Sequence, residues 1–337
     1  MTNRLLLILA VCVFFFSGPA SARMGDLGNM KVEGFLSAGY YNSVTTERAS
    51  FLMEQAELDF FHDTTYAGFR VDLNFTSEGG AEVDDYVEQG YAWVDLGERA
   101  RLDMGKFNAP IGFESVDPVD MYQISHALVY SYGLPSNLTG VKFYADLGTF
   151  DVTAYVVNGW DNIIDDNKDK TYGARIGMGL IPGYSLGLSV ITGNEGIEEV
   201  TNRLSVVDVD FTAQPLDSLT IGVEINYGMF DKQSALETGS DATWMAALFM
   251  LSVKLNPVLA ITGRYDYFSD NDGARLGAGK KESRHALTAC IDYNAEKNLR
   301  LMGELRFVMS SEKVFAKAAD DLQDKEFTLA AQALYSF

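Results

Sequence analysis

Apolar and polar residues alternate one for one through segment after segment of this chain, the period of a strand with one apolar face. Ala67, Phe69, Val71, Leu73 and Phe75 form one such row, with Gly68, Arg70, Asp72 and Asn74 between them. Leu219, Ile221, Val223, Ile225 and Tyr227 interleave with Thr220, Gly222, Glu224 and Asn226. Leu299, Leu301, Gly303, Leu305 and Phe307 interleave with Arg300, Met302, Glu304 and Arg306. Roughly sixteen segments read this way. They cover 31–42, 50–62, 66–77, 84–96, 100–107, 139–146, 149–158, 170–180, 183–192, 201–213, 217–229, 241–256, 258–268, 282–294, 297–309 and 325–337. Most are close to the ~9–11 residues a tilted strand needs to cross the hydrocarbon of a bilayer. An even number brings both termini to one side.

The connections alternate in length. Short turns fall at 63–65, 96–98, 147–148, 181–183, 214–216, 256–257 and 295–296. Longer polar loops fall at 43–49, 78–83, 108–138, 159–169, 193–200, 230–240, 269–281 and 310–324. Short turns on one side and long loops on the other are the asymmetry of an outer-membrane barrel. The fold expected is all-β: one transmembrane antiparallel β-barrel of about 16 strands, with a long loop after strand 5. The run from Trp244 to Val253 is apolar throughout, but falls well short of the ~20 residues of a spanning helix. Read as a strand, it sends Met245, Ala247, Phe249, Leu251 and Val253 to lipid, and Trp244, Leu248 and Met250 inward. Such residues are out of place in a wet lumen, which implies a loop folded against them.

The first residues look like a secretory signal: Arg4, an apolar stretch from Leu5 to Phe16, and the small-x-small site Ala20-Ser21-Ala22. The expected boundaries are therefore a signal peptide over 1–22 and a barrel domain over 23–337. A lipoprotein cut at Cys12 is the alternative, weakened because the apolar run continues past it. The mature chain then keeps only Cys290, so no internal disulfide is expected. A formal net charge of −21 argues against nucleic acid as a partner, since that needs a basic surface. The final Tyr335-Ser336-Phe337 ends an alternating strand. Its aromatic terminus suits the signal read by barrel-assembly machinery, with Tyr335 and Phe337 as the residues read.

The loop 108–138 is where function is expected. It exceeds the usual loop length, and it carries Ile111, Phe113, Met121, Tyr122, Ile124, Leu128, Val129, Tyr130 and Tyr132. A loop so apolar packs against something; inside a wide barrel that is the inner wall, and the loop would narrow the pore. An external loop packed on other loops is the alternative. The candidate constriction sets Glu114, Asp117 and Asp120 of the loop against Arg70, Arg175, Arg264, Arg300 and Arg306 of the wall. Opposed charges across a constriction create a transverse field that tunes solute choice. The excess of acids favours cations slightly.

Gly105-Lys106-Phe107-Asn108-Ala109-Pro110-Ile111-Gly112-Phe113-Glu114 resembles the G-K-F-x-x-P-x-G-x-E signature of the OmpL-like β-barrel porins. Asn158-Gly159-Trp160-Asp161, followed by Asp166-Asn167-Lys168, is similar to that family's downstream N-G-x-D…D-N-K stretch. The resemblance is best over 100–180. It implies an outer-membrane channel for small solutes, without a catalytic set or a cofactor, and porins make a homotrimer plausible.

Other chemistry is weakly supported. Asp165, Asn167 and Asp169 have the spacing of hard oxygen ligands for calcium, but Lys170 stands where an EF-type loop needs glycine. His62, His126 and His285 lack zinc-ligand spacing. The stretch 273–281 lacks phosphate-loop spacing, and no G-x-S-x-G elbow occurs. A hydrolase using Ser283 and His285 is a remote alternative. The expected function is passive diffusion of small hydrophilic solutes or ions, with no metal, no cofactor and no enzyme activity. The other reading is a non-conducting barrel that serves as adhesin or envelope scaffold.

Overall fold

The computed structural model describes residues 30–76, 86–196, 201–318 and 321–337. The expected signal peptide lies outside them, as do the loop at 78–83 and the end of that at 193–200. The alternating segments become β1 (Met30–Ser43), β2 (Arg48–Asp63), β3 (Ala67–Thr76), β4 (Val87–Asp95), β5 (Ala100–Asn108) and β6 (Asn137–Asp146). They continue as β7 (Phe150–Val157), β8 (Thr171–Ile181), β9 (Tyr184–Glu195), β10 (Asn202–Leu216), β11 (Leu219–Phe230) and β12 (Ala242–Asn256). Next come β13 (Leu259–Asp270), β14 (Glu282–Glu296), β15 (Leu299–Ser310), β16 (Phe315–Ala318), β17 (Asp321–Gln323) and β18 (Lys325–Ser336). Every expected segment is a strand, within a few residues at its ends.

β1 to β15 and β18 form one closed barrel, each strand antiparallel to its sequence neighbour, with β18 between β15 and β1. Closure leaves no strand edge to be satisfied inside a bilayer. The last residue completes it: Phe337 N–H donates to Gly34 O at 3.0 Å, and Gly34 N–H donates to Phe337 O at 3.2 Å. The hairpin β16–β17 is separate and sits in the loop before β18; its strands are too short to show a period.

Connections of two to four residues join β2 to β3, β4 to β5, and so on to β14 and β15, all at one end. At one of them Gly148 takes a φ of 95°, which an L side chain rarely adopts, and its N–H donates to Asp146 Oδ1 at 2.7 Å. Long connections occupy the other end, except that 44–47 is shorter than expected.

The outward rows form the lipid-facing surface. Ile225, Tyr227, Met245, Phe249, Leu251, Leu287 and Ile291 are all exposed. The inward rows are buried, and mostly polar: Glu57, Asp72, Asp103, Asp208, Glu224, Arg264, Asp266 and Glu304. β12 is the exception. Trp244, Ala246, Leu248 and Met250 point inward and are buried in one apolar cluster with Leu128, Val129 and Leu134 of the long loop.

Candidate functional site

The loop between β5 and β6 turns into the barrel. Its short helix α1 (Leu128–Gly133) packs on the inner face of β11, β12 and β13. Gly222 and Gly228 on β11 leave room for the rings of Phe113 and Trp244. The apolar inward row of β12 is thereby covered, and the wall stays dry where a water-filled lumen would otherwise wet it.

Polar anchors hold the loop at both ends and across its middle. Phe107 and Leu138, opposite each other at its base, are fully buried. Asn137 Nδ2 donates to Asn108 Oδ1 at 2.6 Å. Asp161 Oδ1 accepts from Ser136 N–H at 2.8 Å and from Asn137 N–H at 2.9 Å. Gly112 has a φ of 91°, and a Cβ there would stand 2.5 Å from Leu134 Cδ1. Phe107, Asn108, Gly112 and Asp161 belong to the two sequence blocks at 105–114 and 158–161. Their common work is to tie down the loop.

Glu114 is the central anchor. Its carboxylate accepts from Arg264 Nη1 at 2.6 Å and from Ala127 N–H at 2.7 Å, and His126 Nδ1 stands 3.5 Å away. Burial pushes this carboxyl up, but Arg264, His126 and the Ala127 N–H outweigh it and hold it at about 2. Glu304 accepts from the N–H groups of Ile124 and Ser125. Arg306 donates to Ser125 Oγ and His126 O; Arg300 donates to Met121 O at 2.7 Å and pairs with Asp292 at 2.9 Å.

The expected constriction set therefore divides. Arg264, Arg300 and Arg306 lie under the loop and hold it. Arg70 and Arg175 lie on the uncovered wall, where Arg70 pairs with Asp72 at 2.7 Å and Arg175 with Asp210 at 2.5 Å. Asp120 is exposed at the rim of a cleft shared with Lys254 and Arg300. Among the described residues Asp117 forms no ion pair with the basic wall. It reaches β2 and β4, where its carboxylate, Glu57 and Glu88 converge. Burial first, then Glu88 and Asp59, push the Asp117 carboxyl up to about 8.

Two residues of the uncovered wall escape a reading by motif. Arg101 and Lys142, on the paired strands β5 and β6, share Asp103 at 2.6 Å and 3.1 Å. Arg101 lies over Trp93, and Lys142 over Tyr91 and Phe107. Inward parity on each strand was the available signal; their meeting depends on register. A cavity of about 890 Å³ opens beside them at the short-turn end, with Asp95, Arg99, Arg101, Asp103, Pro110 and Lys142 in its lining. In this wall the cation of each pair faces the water. The Arg101 side chain is 33 % exposed against 2 % for Asp103, and Arg70 is 24 % exposed against 0 % for Asp72.

The remaining candidates have local partners. Asp165 is bound by Lys170 and by Asn167 N–H, and Asp169 accepts from Asn194 Nδ2 at 2.7 Å. The His285 ring is bonded to Tyr265 OH at 2.8 Å rather than to Ser283.

The sequence comparison with curated proteins gives no match. Among solved structures, the chain is similar to an anion-selective porin from Comamonas acidovorans, at 11% identity and TM-score 0.69, covering 91% of this chain and 99% of that one. It is also similar to the outer membrane channel DcaP of Acinetobacter baumannii, at 14% identity and TM-score 0.67, covering 91% and 97%. OmpT of Vibrio cholerae aligns at 13% identity and TM-score 0.65, again over 91% and 97%. At such identities the likeness is one of fold. Family membership rests on the sequence itself, which matches a family model from residue 31 to residue 337 and so belongs to the outer-membrane porin family described as Putative beta-barrel porin-2, OmpL-like.

Proposed function

We propose that solutes pass by diffusion along the wall from β3 to β8, between the inward loop and the row Arg70, Arg101, Lys142 and Arg175. The observation that carries this reading is the docking of the loop's helix on one face of the barrel. The helix covers the apolar face of β11 to β13, while the cations of the charged wall stay partly exposed. Solute choice then follows from the width of this gap and the charge that lines it. The acids of these ion pairs sit behind their partners, so the wall presents positive charge and favours anions, despite the net negative charge of the chain. Glu114 acts in this account by positioning the loop, and Asp120 contributes charge at the rim of a separate cleft.

Reversal potential across a KCl gradient tests the reading. The native protein is expected to favour chloride, and Arg101→Gln with Lys142→Gln to move the potential toward potassium. Cation preference in the native protein, or no movement in the double variant, contradicts it.

The chain works without a cofactor and as a channel rather than an enzyme. We read 1–22 as a signal peptide, 23–337 as the mature barrel, and Tyr335 with Phe337 as the recognition end for barrel-assembly machinery. OmpT of Vibrio cholerae has a solved trimer form, which supports a homotrimer here. A second reading is a closed barrel acting as adhesin or scaffold. It is favoured by the reach of the loop, from Asp117 at β2 and β4 to Ser125 at β13. Conductance separates the two.

A further inference from the structure

Asp117 leaves a group of carboxylates that the channel reading does not use. Glu57 comes from β2, Glu88 from β4 and Asp117 from the loop, and each offers an oxygen within 4.8 Å of the others. All three are buried, with Glu57 2 % and Asp117 8 % exposed. Gln55 Nε2 donates to one oxygen of Glu57, and Asn74 Nδ2 and Asn108 Nδ2 donate to Glu88. Those donors are neutral amides. Among the described residues, Glu57 Oε1 and Asp117 Oδ1 are buried without any hydrogen-bond donor, and so is Asn74 Oδ1. The guanidinium of Arg70 is committed to Asp72 at 2.7 Å and reaches Asp59 at 3.8 Å.

Buried carboxylate oxygens with no donor are costly unless a proton or a cation meets them. We propose that Glu57, Glu88 and Asp117 bind a calcium ion, which clips the inward loop to the β2–β4 wall. The donor set is all oxygen, with no thiolate or imidazole, which selects a hard cation. Calcium takes carboxylate and amide oxygens at ~2.3–2.6 Å in flexible geometry, so ligands on opposite sides of one ion stand ~4.8 Å apart. The three acids converge within this limit. Magnesium holds its waters and demands a tighter octahedron, which a dry pocket built from three separate elements does not offer. The ion would give the loop a second fixed point, three residues beyond the Glu114 anchor and on a different wall.

The test uses the full-length protein folded in detergent micelles and freed of metal with EDTA. Calcium chloride is titrated by calorimetry, and amide exchange of the 115–122 segment is followed with and without the ion. A single calcium per chain is expected, binding more tightly than magnesium and slowing exchange in that segment. Asp117→Asn is expected to weaken binding about tenfold or more, whereas Asp165→Asn, in the other acidic loop, leaves it unchanged. Glu57→Gln should also weaken it. If that variant does not fold, Asp117→Asn decides, because its site lies on the loop outside the barrel strands. No binding heat from calcium, or an affinity unaltered by Asp117→Asn, overturns the proposal. Tighter binding of magnesium overturns the assignment to calcium.

Discussion

Replacing Glu114 with Gln removes one charge from the loop and leaves its shape. The carboxylate sits against Arg264 at 2.6 Å with both side chains almost wholly buried. A carboxyl held at about 2, against an ordinary value of 4.5, is stabilised in its charged form by about 3 kcal/mol. Breaking a buried pair by removing one partner costs ~3–5 kcal/mol. Gln keeps one acceptor for Arg264 or the Ala127 N–H, and Arg264 retains Asp266 at 2.9 Å. The loss of loop docking should therefore be about 2–3 kcal/mol, which is roughly a 30- to 150-fold rise in the undocked fraction. Hydrogen exchange in detergent, resolved by peptide, measures it. Amides of Phe113, Ile124, Ser125 and Ala127, which bond to Glu224, Glu304 and Glu114, should exchange faster by that factor, with β10 to β13 unchanged. Exchange within about 3-fold of the native protein would refute the anchoring role. So would an increase spread evenly over the barrel.

Trp244→Ala should cost about 3–5 kcal/mol through lost apolar contact and the cavity left behind, and free the loop to protease while the barrel still resists heat in detergent. The Glu114 anchor also gives acid sensitivity. Its carboxyl is depressed in the folded state, so its contribution is complete above about pH 4.5 and is lost as the pH falls toward 2; protease cleavage of the loop should rise across that window, and Glu114→Gln should remove the rise. Gly112→Ala places an L side chain at a φ of 91° and against Leu134, and should cost about 1 kcal/mol or more, seen as faster loop exchange without a change in barrel mobility on gels.

Much of this fold was legible because lipid and lumen impose opposite chemistry on alternate residues, and the chain must record that choice at every strand. Even the inward turn of the loop had a trace, since Trp244, Leu248 and Met250 required a dry partner on the wall. Pairing across the lumen left no such trace. Glu57, Glu88 and Asp117 are far apart in sequence, and their convergence depends on barrel register and on the path of the loop together. For the same reason the five arginines read as one wall but divide into loop anchors and lumen-facing cations. The hairpin β16–β17 was missed because strands of four and three residues carry no readable period.

The central claim is an open channel beside a docked loop, and single-channel recording of the purified protein in planar bilayers tests it most directly. Discrete, ohmic steps in KCl are predicted, each insertion adding a reproducible conductance. Protein that inserts as a folded barrel and never conducts would contradict the account and favour the closed scaffold.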